Sequence, residues 1–462
     1  MATSTPDLNV TPELLQKYDQ PGPRYTSYPT APVWRSDLTD EAYAEALRQA
    51  SSHTDDPFSL YVHIPFCAER CHYCGCNVVI SKKPEVSEAY LEHAAAELER
   101  VANLLGDRKN VSQMHWGGGT PTYLTPEQLS ILHESVTKHF ALTPDAEIAL
   151  EADPRVTSSD HIRTLRDLGF NRISMGVQDL DPGVQEIIGR GQTEAETREL
   201  FDACRDAGFQ GINIDLIYGL PGQTPATWAG TIASVVNIRP DRLAIYSYAH
   251  LPDRLKHQRK MDAPLPDAET KYGLFALARN TLLDAGYRAI GMDHFALPDD
   301  DLAVALDERR LFRNFMGYTT VAAQEMVGVG PSAISRIGGV YAQNEKRLVY
   351  YYRHLDEGRL PTMAGCVLSE DDEIRGWVIQ QLMCNLQLDF TQLEAQFGVT
   401  YDAYFAEEEA ALQPYYDDGF LTRTEASLQV LPLGQVFLRN IAMVFDAYLK
   451  TSGATSTFSR TV

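Results

Sequence analysis

The chain has 462 residues, 44% apolar and 22% charged, which is enough to bury a large core and too many for one average domain. Its 40 basic and 63 acidic side chains leave a net charge of −23, a surface that repels nucleic-acid phosphates and anionic membranes. The start, MATSTPDLNV, carries no secretory signal, no apolar run reaches the about 18 residues a membrane span needs, and seven clustered cysteines argue against a disulfide framework, so a reducing cytoplasm is the expected setting.

The first elements in chain order are irregular. Residues 21–32, PGPRYTSYPTAP, read as part of an extended arm over 1–50, and Tyr25 and Tyr28 are unusual for a disordered tail. SLYVHI (59–64) is the first predicted strand and runs into CAERCHYCGC (67–76), which holds four of the seven cysteines. A helix near 86–105 and a strand VSQMHW (111–116) follow, the strand ending in three glycines. Thr125-Pro126 is a good N-cap and N1 pair for a helix near 126–140. EIALEAD (147–153), a helix near 159–168, RISMGVQ (172–178), and helices near 182–188 and 194–207 continue the alternation. GINIDLIYG (211–219), a helix from about 225, RLAIYSYAHL (242–251), a helix near 268–285 and YRAIGMDHFA (287–296), the last clear strand, complete it.

About seven strands separated by helices mean an α/β protein with a parallel sheet and helical crossovers. A partial or complete (β/α) barrel over 51–350 is the natural closure, with its chemistry at the C-terminal strand ends. The notable polar residues fall there: the cysteines after the first strand, Gly117–Thr120 after the second, Glu151 on the third, Gln178 closing the fourth, and Asp215 in the fifth. From 365 to 462 the pattern changes to a small, mostly helical domain with a short β piece, of winged-helix type.

Cys67, Cys71, Cys74 and Cys76 are spaced C-x3-C-x2-C-x-C. Thiolates this close suit one soft metal centre. Structural zinc normally takes its second ligand pair well downstream, and no second Cys-x2-Cys exists here, so an iron–sulfur cluster fits better, with zinc as the rival. Gly117–Gly119 is either a tight turn or a close backbone approach to a ligand. A carboxylate such as Glu151 inside an apolar strand needs a partner, either Arg155 or Arg172 or a cofactor hydroxyl or amine; Asp215 poses the same choice. Arg190 is either a solvated helix-end charge or a fork for a carboxylate. His63, His115, His250 and His294 on predicted strands read as satisfied structural residues before anything else.

C-x3-C-x2-C resembles the signature of radical S-adenosylmethionine (SAM) enzymes, and the likeness extends well beyond it. YVHIPFCAERCHYCGCN (61–77), PGPRYTSYPTAP, HWGGGTPTYL (115–124), NRISMGVQD (171–179), NIDLIYGLPGQT (213–224), YAHLP (248–252), GMDHFALPDD (291–300), RNFMGYTT (313–320), PSAIS (331–335) and FSR (458–460) resemble the oxygen-independent coproporphyrinogen III oxidases, in the family's order and over almost the whole chain. The related haem-chaperone branch lacks the fourth cysteine, the Gly-Cys-Asn ending and the arm, all present here. Radical SAM methyltransferases acting on haem share the loop more loosely.

The resemblance implies a [4Fe–4S] cluster on Cys67, Cys71 and Cys74, with SAM on the open iron and a second SAM beside it. Tyr61, Tyr73, Gly118, Gly119, Thr120, Glu151, Gln178, Arg190, Asp215, Ala249 and Ile334 match positions that line these sites. Cys76 follows the family's fourth cysteine, which is not a cluster ligand; Cys76 and Tyr61 are assigned to the catalytic step. The implied reaction is oxidative decarboxylation of two propionates of coproporphyrinogen III to vinyl groups, fed by an external one-electron donor and a final acceptor, in a cytoplasmic monomer. Substrate carboxylates require local cations, with Arg24, Arg313 and Arg460 as candidates. Met316 departs from the glutamine the family carries there, and a thioether cannot replace an amide's hydrogen bonds at the second SAM site.

Overall fold

A computed structural model describes residues 8, 10–83, 85–320, 325–452 and 458–461, without the side chains of 451 and 452. Its centre is a 12-stranded sheet. In chain order the strands are β1 (Phe58–Ile64), β2 (Asn110–Gly118), β3 (Ala141–Ala152), β4 (Arg172–Gln178), β5 (Gly211–Tyr218), β6 (Arg242–Ser247), β7 (Arg288–Ile290), β8 (His294–Ala296), β9 (Met326–Val329), β10 (Ile334–Ile337), β11 (Val340–Asn344) and β12 (Thr362–Val367). The spatial order is β12-β11-β10-β9-β1-β2-β3-β4-β5-β6-β8-β7, and the run from β9 to β6 is parallel throughout. The two outermost strands do not pair with each other, so the barrel is partial.

Parallel strands need helical crossovers, and those helices bury both faces of the sheet. β1 accordingly has six of its seven residues buried. The crossover helices start where the sequence places caps. Thr125 accepts from the Gln128 amide in a capping box with proline in the first turn, and Thr193 with Glu196 and Thr224 with Thr227 repeat the device.

Three strand expectations are corrected. The predicted strand 242–251 ends at Ser247, and Tyr248, Ala249 and Leu251 beyond it line a cavity. The predicted last strand 287–296 is a hairpin of two short antiparallel strands, β7 and β8, broken at Gly291, whose φ of 58° turns the chain. It is also not the last: β9 to β12 follow, and β9 supplies a parallel neighbour for β1 on the far side. The helix expected to reach 140 ends at Thr137.

The described part of the arm is ordered and includes helices Pro12–Tyr18 and Asp40–Ala50, each N-capped by a threonine. Tyr25 and Tyr28 are buried in a second core that they share with Ile374, Val378, Phe405 and Phe437 from beyond residue 367. That C-terminal region combines helices with a three-stranded antiparallel sheet made of Gln387–Asp389, Ser427–Val430 and Leu421–Arg423. Among the described residues no helix is long and apolar enough to cross a membrane.

Candidate active site

The largest cavity, about 1540 Å³, opens at the C-terminal ends of β1 to β6. The cysteine loop forms one wall. Its base is stapled where Phe66–Cys67 pairs in parallel with Val79–Ile80, and the Val79 and Ser81 amides donate to the Pro65 and Cys67 carbonyls. The Cys71 carbonyl accepts from the Cys74 amide at 3.3 Å, which curls the loop so that Cys67, Cys71, Cys74 and Cys76 all line the cavity.

Cations face this loop. Arg155 Nη2 lies 3.7 Å and Arg190 Nη1 3.6 Å from Cys71 Sγ. Both guanidinium groups are held by Asp153, at 2.6 Å and 3.1 Å, and Arg190 also donates to the Gly176 carbonyl at 2.6 Å. Arg190 is therefore a buried wall residue and not a solvated helix end. Burial works against its charge, but Tyr73, Asp153 and Cys71 hold it protonated. Burial pushes the Cys67 thiol up to about 11, so loading a metal there must displace its proton. The Cys76 thiol, hydrogen-bonded to Cys74, is raised and Cys74 is lowered by the same contact. Among the described residues no three His, Cys, Asp or Glu converge on a point where one ion would sit. Three thiols spread around a loop and flanked by guanidinium groups suit a cluster, in which cysteines bind separate irons.

The glycine run gives the facing wall. Gly118 has φ 115°, and a Cβ there would meet the His63 ring at 2.6 Å. A Cβ on Gly119 would meet the Phe66 carbonyl oxygen at 2.6 Å. The run therefore lets β2 close against the entry to the cysteine loop, and the Gly119 and Thr120 amides donate to the Ile64 and Phe66 carbonyls. Thr120 Oγ1 is 3.4 Å from Cys67 Sγ.

The carboxylates sit at the floor. Glu151 pairs with neither Arg155 nor Arg172: it accepts from the Gly118 amide at 3.1 Å and lies 3.7 Å from His115 Nε2, with its side chain 44% exposed into the cavity. Desolvation raises its carboxyl, but His115 and the Gly118 amide outweigh this and hold it below the usual range. Arg172 instead joins Glu147, Asp300 and Asp301 at the other end of the strands. Asp215 accepts from Ser174 at 2.9 Å and Asn213 at 2.7 Å, and burial lifts it to about 6. Gln178, with φ 71°, and Ala249 complete the lining. A smaller cavity of about 120 Å³ inside the sheet shares Glu151, Asp215 and Tyr246 with the large one and is also lined by His115, His294 and Met316.

Two predicted residues stand apart from the large cavity. Tyr61 stacks on His115 with ring centroids 6.0 Å apart, and its hydroxyl lies 3.1 Å from His63 Nδ1. Ile334 lies on β10, outside the lining. Of the histidines, His63 is satisfied by Tyr61 and by the Asn77 carbonyl, and His250 by the Tyr248 hydroxyl. Of the three arginines proposed for substrate, Arg24 alone lines the large cavity, held by the Ser247 carbonyl at 3.1 Å and Asp293 at 3.6 Å. Arg313 is buried over the Tyr318 ring, and Arg460 is tied to Asp19.

Comparison with known proteins agrees with this geometry. Residues 61–235 match a family model described as the Radical SAM superfamily, and 368–437 one described as the HemN C-terminal domain. The oxygen-independent coproporphyrinogen III oxidase of Salmonella typhimurium is 46% identical over 97% of this chain and 98% of its own. That of Synechocystis is 42% identical over the whole of both. A solved structure described as coproporphyrinogen III oxidase (HemN) from Escherichia coli, a radical SAM enzyme, superposes with a TM-score of 0.89 at 44% identity, covering 92% of this chain and 97% of that one. The chain belongs to the oxygen-independent coproporphyrinogen III oxidase family.

Sequence reasoning missed several residues that shape this family member's cavity. Asp153 and Arg155, which brace the cysteine loop, follow β3 directly in EADPR, where a strand end should have drawn attention. Tyr246, Arg254 and Gln258 also line it and carried no motif signal.

Proposed function

We propose that this protein oxidatively decarboxylates two propionate side chains of coproporphyrinogen III, giving the vinyl groups of protoporphyrinogen IX in porphyrin and haem biosynthesis without oxygen. The observation that carries the reading is the convergence of three loop cysteines and the family's polar residues on one cavity, in a chain that matches such oxidases end to end. Cys67, Cys71 and Cys74 would hold a [4Fe–4S] cluster, beside which SAM would bind. Bound together, cluster and SAM supply one-electron chemistry able to take hydrogen from an unactivated carbon. Each propionate loses one hydrogen atom, one electron and carbon dioxide.

The chain's own residues bind, orient and exclude. Arg155 and Arg190 offset the negative charge that deprotonated cysteines bring to a buried loop. Glu151, held ionised by His115 and the Gly118 amide, accepts hydrogen bonds from a cofactor amine or ribose. Arg24 offers a fork to a substrate carboxylate at the cavity mouth, which a molecule of net charge −23 needs. Cys76 acts on substrate in turnover; its exposure in the wall and the neighbour that keeps it protonated support this role. Tyr61 acts through His63 and His115 from behind the wall.

Two bound SAM molecules belong to this reading; the size of the large cavity and the smaller one behind Glu151 and Asp215 support it. Met316 in that smaller cavity replaces an amide, so its backbone and neighbours carry the polar contacts. A separate one-electron donor, a final acceptor, a monomeric state and a cytoplasmic setting complete the proposal; seven unpaired cysteines support the last. The test is turnover by anaerobically reconstituted protein with reductant, SAM and coproporphyrinogen III, read by mass spectrometry. A product lighter by two formic-acid equivalents is expected. SAM cleavage with an unchanged porphyrinogen would overturn the substrate assignment.

A further inference from the structure

The cysteine loop is gripped from a second side by a segment that no motif singled out. After β6 the chain passes Ala249 and Leu251 and folds into a short 3-10 helix, Lys256–Lys260. Two consecutive side chains from it reach the backbone of two consecutive loop residues. His257 Nε2 donates to the Cys74 carbonyl at 2.7 Å. Gln258, 1% exposed, donates from Nε2 to the Tyr73 carbonyl at 3.2 Å and to the Ala249 carbonyl at 3.1 Å, while its Oε1 accepts from the Leu251 amide at 2.6 Å. The Gln258 amide thus joins the loop to the end of β6. Met261, just past the helix, packs with Val184, Ile188, Leu220 and Tyr248 in a small apolar cluster against which Tyr73 lies. The His72 amide donates to the carbonyl of Ile188 in that cluster at 2.8 Å.

We propose that His257 and Gln258 are positioning residues that clamp the cofactor site: His257 fixes the Cys74 carbonyl, and Gln258 sets the separation of Tyr73 and Ala249. The inference rests on the reading that Cys74 is a cluster ligand and that Tyr73 and Ala249 contact SAM. Groups that orient a ligand from behind commonly change affinity 10- to 100-fold when removed. A neutral amide suits this place because it donates to two carbonyls and accepts from the Leu251 amide at once, whereas an ionised carboxylate offers acceptors only.

The test compares reconstituted wild type with Gln258→Glu, Gln258→Met and His257→Phe. Four quantities are read: iron content, the rate at which a chelator bleaches the cluster absorbance, the Kd for SAM from its effect on the cluster's EPR signal, and Tm. Both Gln258 variants should load iron as wild type does and bind SAM at least about tenfold more weakly. His257→Phe, which keeps a ring and loses the donor, should lose its cluster to chelator several-fold faster. A weakened Gln258→Glu beside an unaffected Gln258→Met would overturn the hydrogen-bond account, and SAM affinity that falls only in step with thermal stability would reduce the clamp to general packing. Wild type that holds its cluster but binds no SAM would overturn the cofactor reading together with the clamp. Wild-type and variant values that agree would overturn the clamp alone.

Discussion

At the scale of single residues the site is a set of charges placed where water is scarce. Asp215 is the clearest case. Its carboxyl sits at about 6, above its ordinary value of 3.8, because burial and the nearby Glu151 charge outweigh the bonds from Ser174 and Asn213. The folded chain therefore binds more protons than the unfolded chain between pH 3.8 and about 6, and Asp215 costs stability as pH rises through that window. Asp215→Asn should raise the stability of cofactor-free protein at pH 7 by on the order of 3 kcal/mol and lose that gain near pH 4, as denaturant titrations at the two pH values would show. The same variant should bind SAM less well. Arg24 permits a separate prediction. A hydrogen bond to a charged group contributes roughly 1.5–3 kcal/mol, so Arg24→Gln should raise KM for the porphyrinogen about tenfold or more while leaving SAM affinity intact. Cys67→Ser should lower iron content and abolish turnover. The cysteines, Glu151 and Asp215 were legible because buried polar residues at strand ends are conspicuous in sequence. Asp153 was not, since its second partner, Arg190, comes near only on folding, and neither were His257 and Gln258, since what they hold is distant backbone.

At the scale of elements, the alternation of strands and helices was readable from β1 to β6 because each period of apolar residues is long and, after the first helix, Val86–Leu105, which starts at Glu85 without a side-chain cap, each helix starts at a threonine, serine or aspartate cap. The failures share a cause. β7 to β11 are three to five residues long and broken by Gly291, Gly330, Gly338 and Gly339, too short for a period to declare itself. Their pairing is set by neighbours far away in sequence, as where Leu60 faces Val327. The glycine run of β2 is an element-scale device, and it is testable. Gly119→Ala places a methyl group 2.6 Å from the Phe66 carbonyl oxygen, backbone that cannot rotate away. The variant should lose several kcal/mol of stability or pull the strand from the loop; a fall in both Tm and reconstituted iron is expected, where a solvated turn would have cost little.

At the scale of the molecule, the two ends of the chain meet beside the cavity. Pro21 and Arg460 form an antiparallel bridge, Tyr25 donates to Asp446, and the buried Arg439 donates to the carbonyls of Gly22, Pro23, Ser459 and Arg460. Arg24 reaches the cavity from this junction, so the arm's folding and the cavity's charge are linked. Arg439→Met removes the hub and leaves buried carbonyls unpaired, and it should lower Tm clearly and weaken porphyrinogen binding; Arg460→Ala removes a mostly exposed cation from a buried Asp19 carboxylate and should lower Tm by less than Arg439→Met does. The central claim is that this cavity takes hydrogen from a propionate side chain. The most direct measurement is one anaerobic turnover with coproporphyrinogen III deuterated at the propionate β-carbons, followed by mass analysis of the 5′-deoxyadenosine released. The account predicts deuterium in that product in step with vinyl formation, and its loss in Cys67→Ser. Unlabelled 5′-deoxyadenosine, formed while the porphyrinogen keeps all its deuterium, would contradict it.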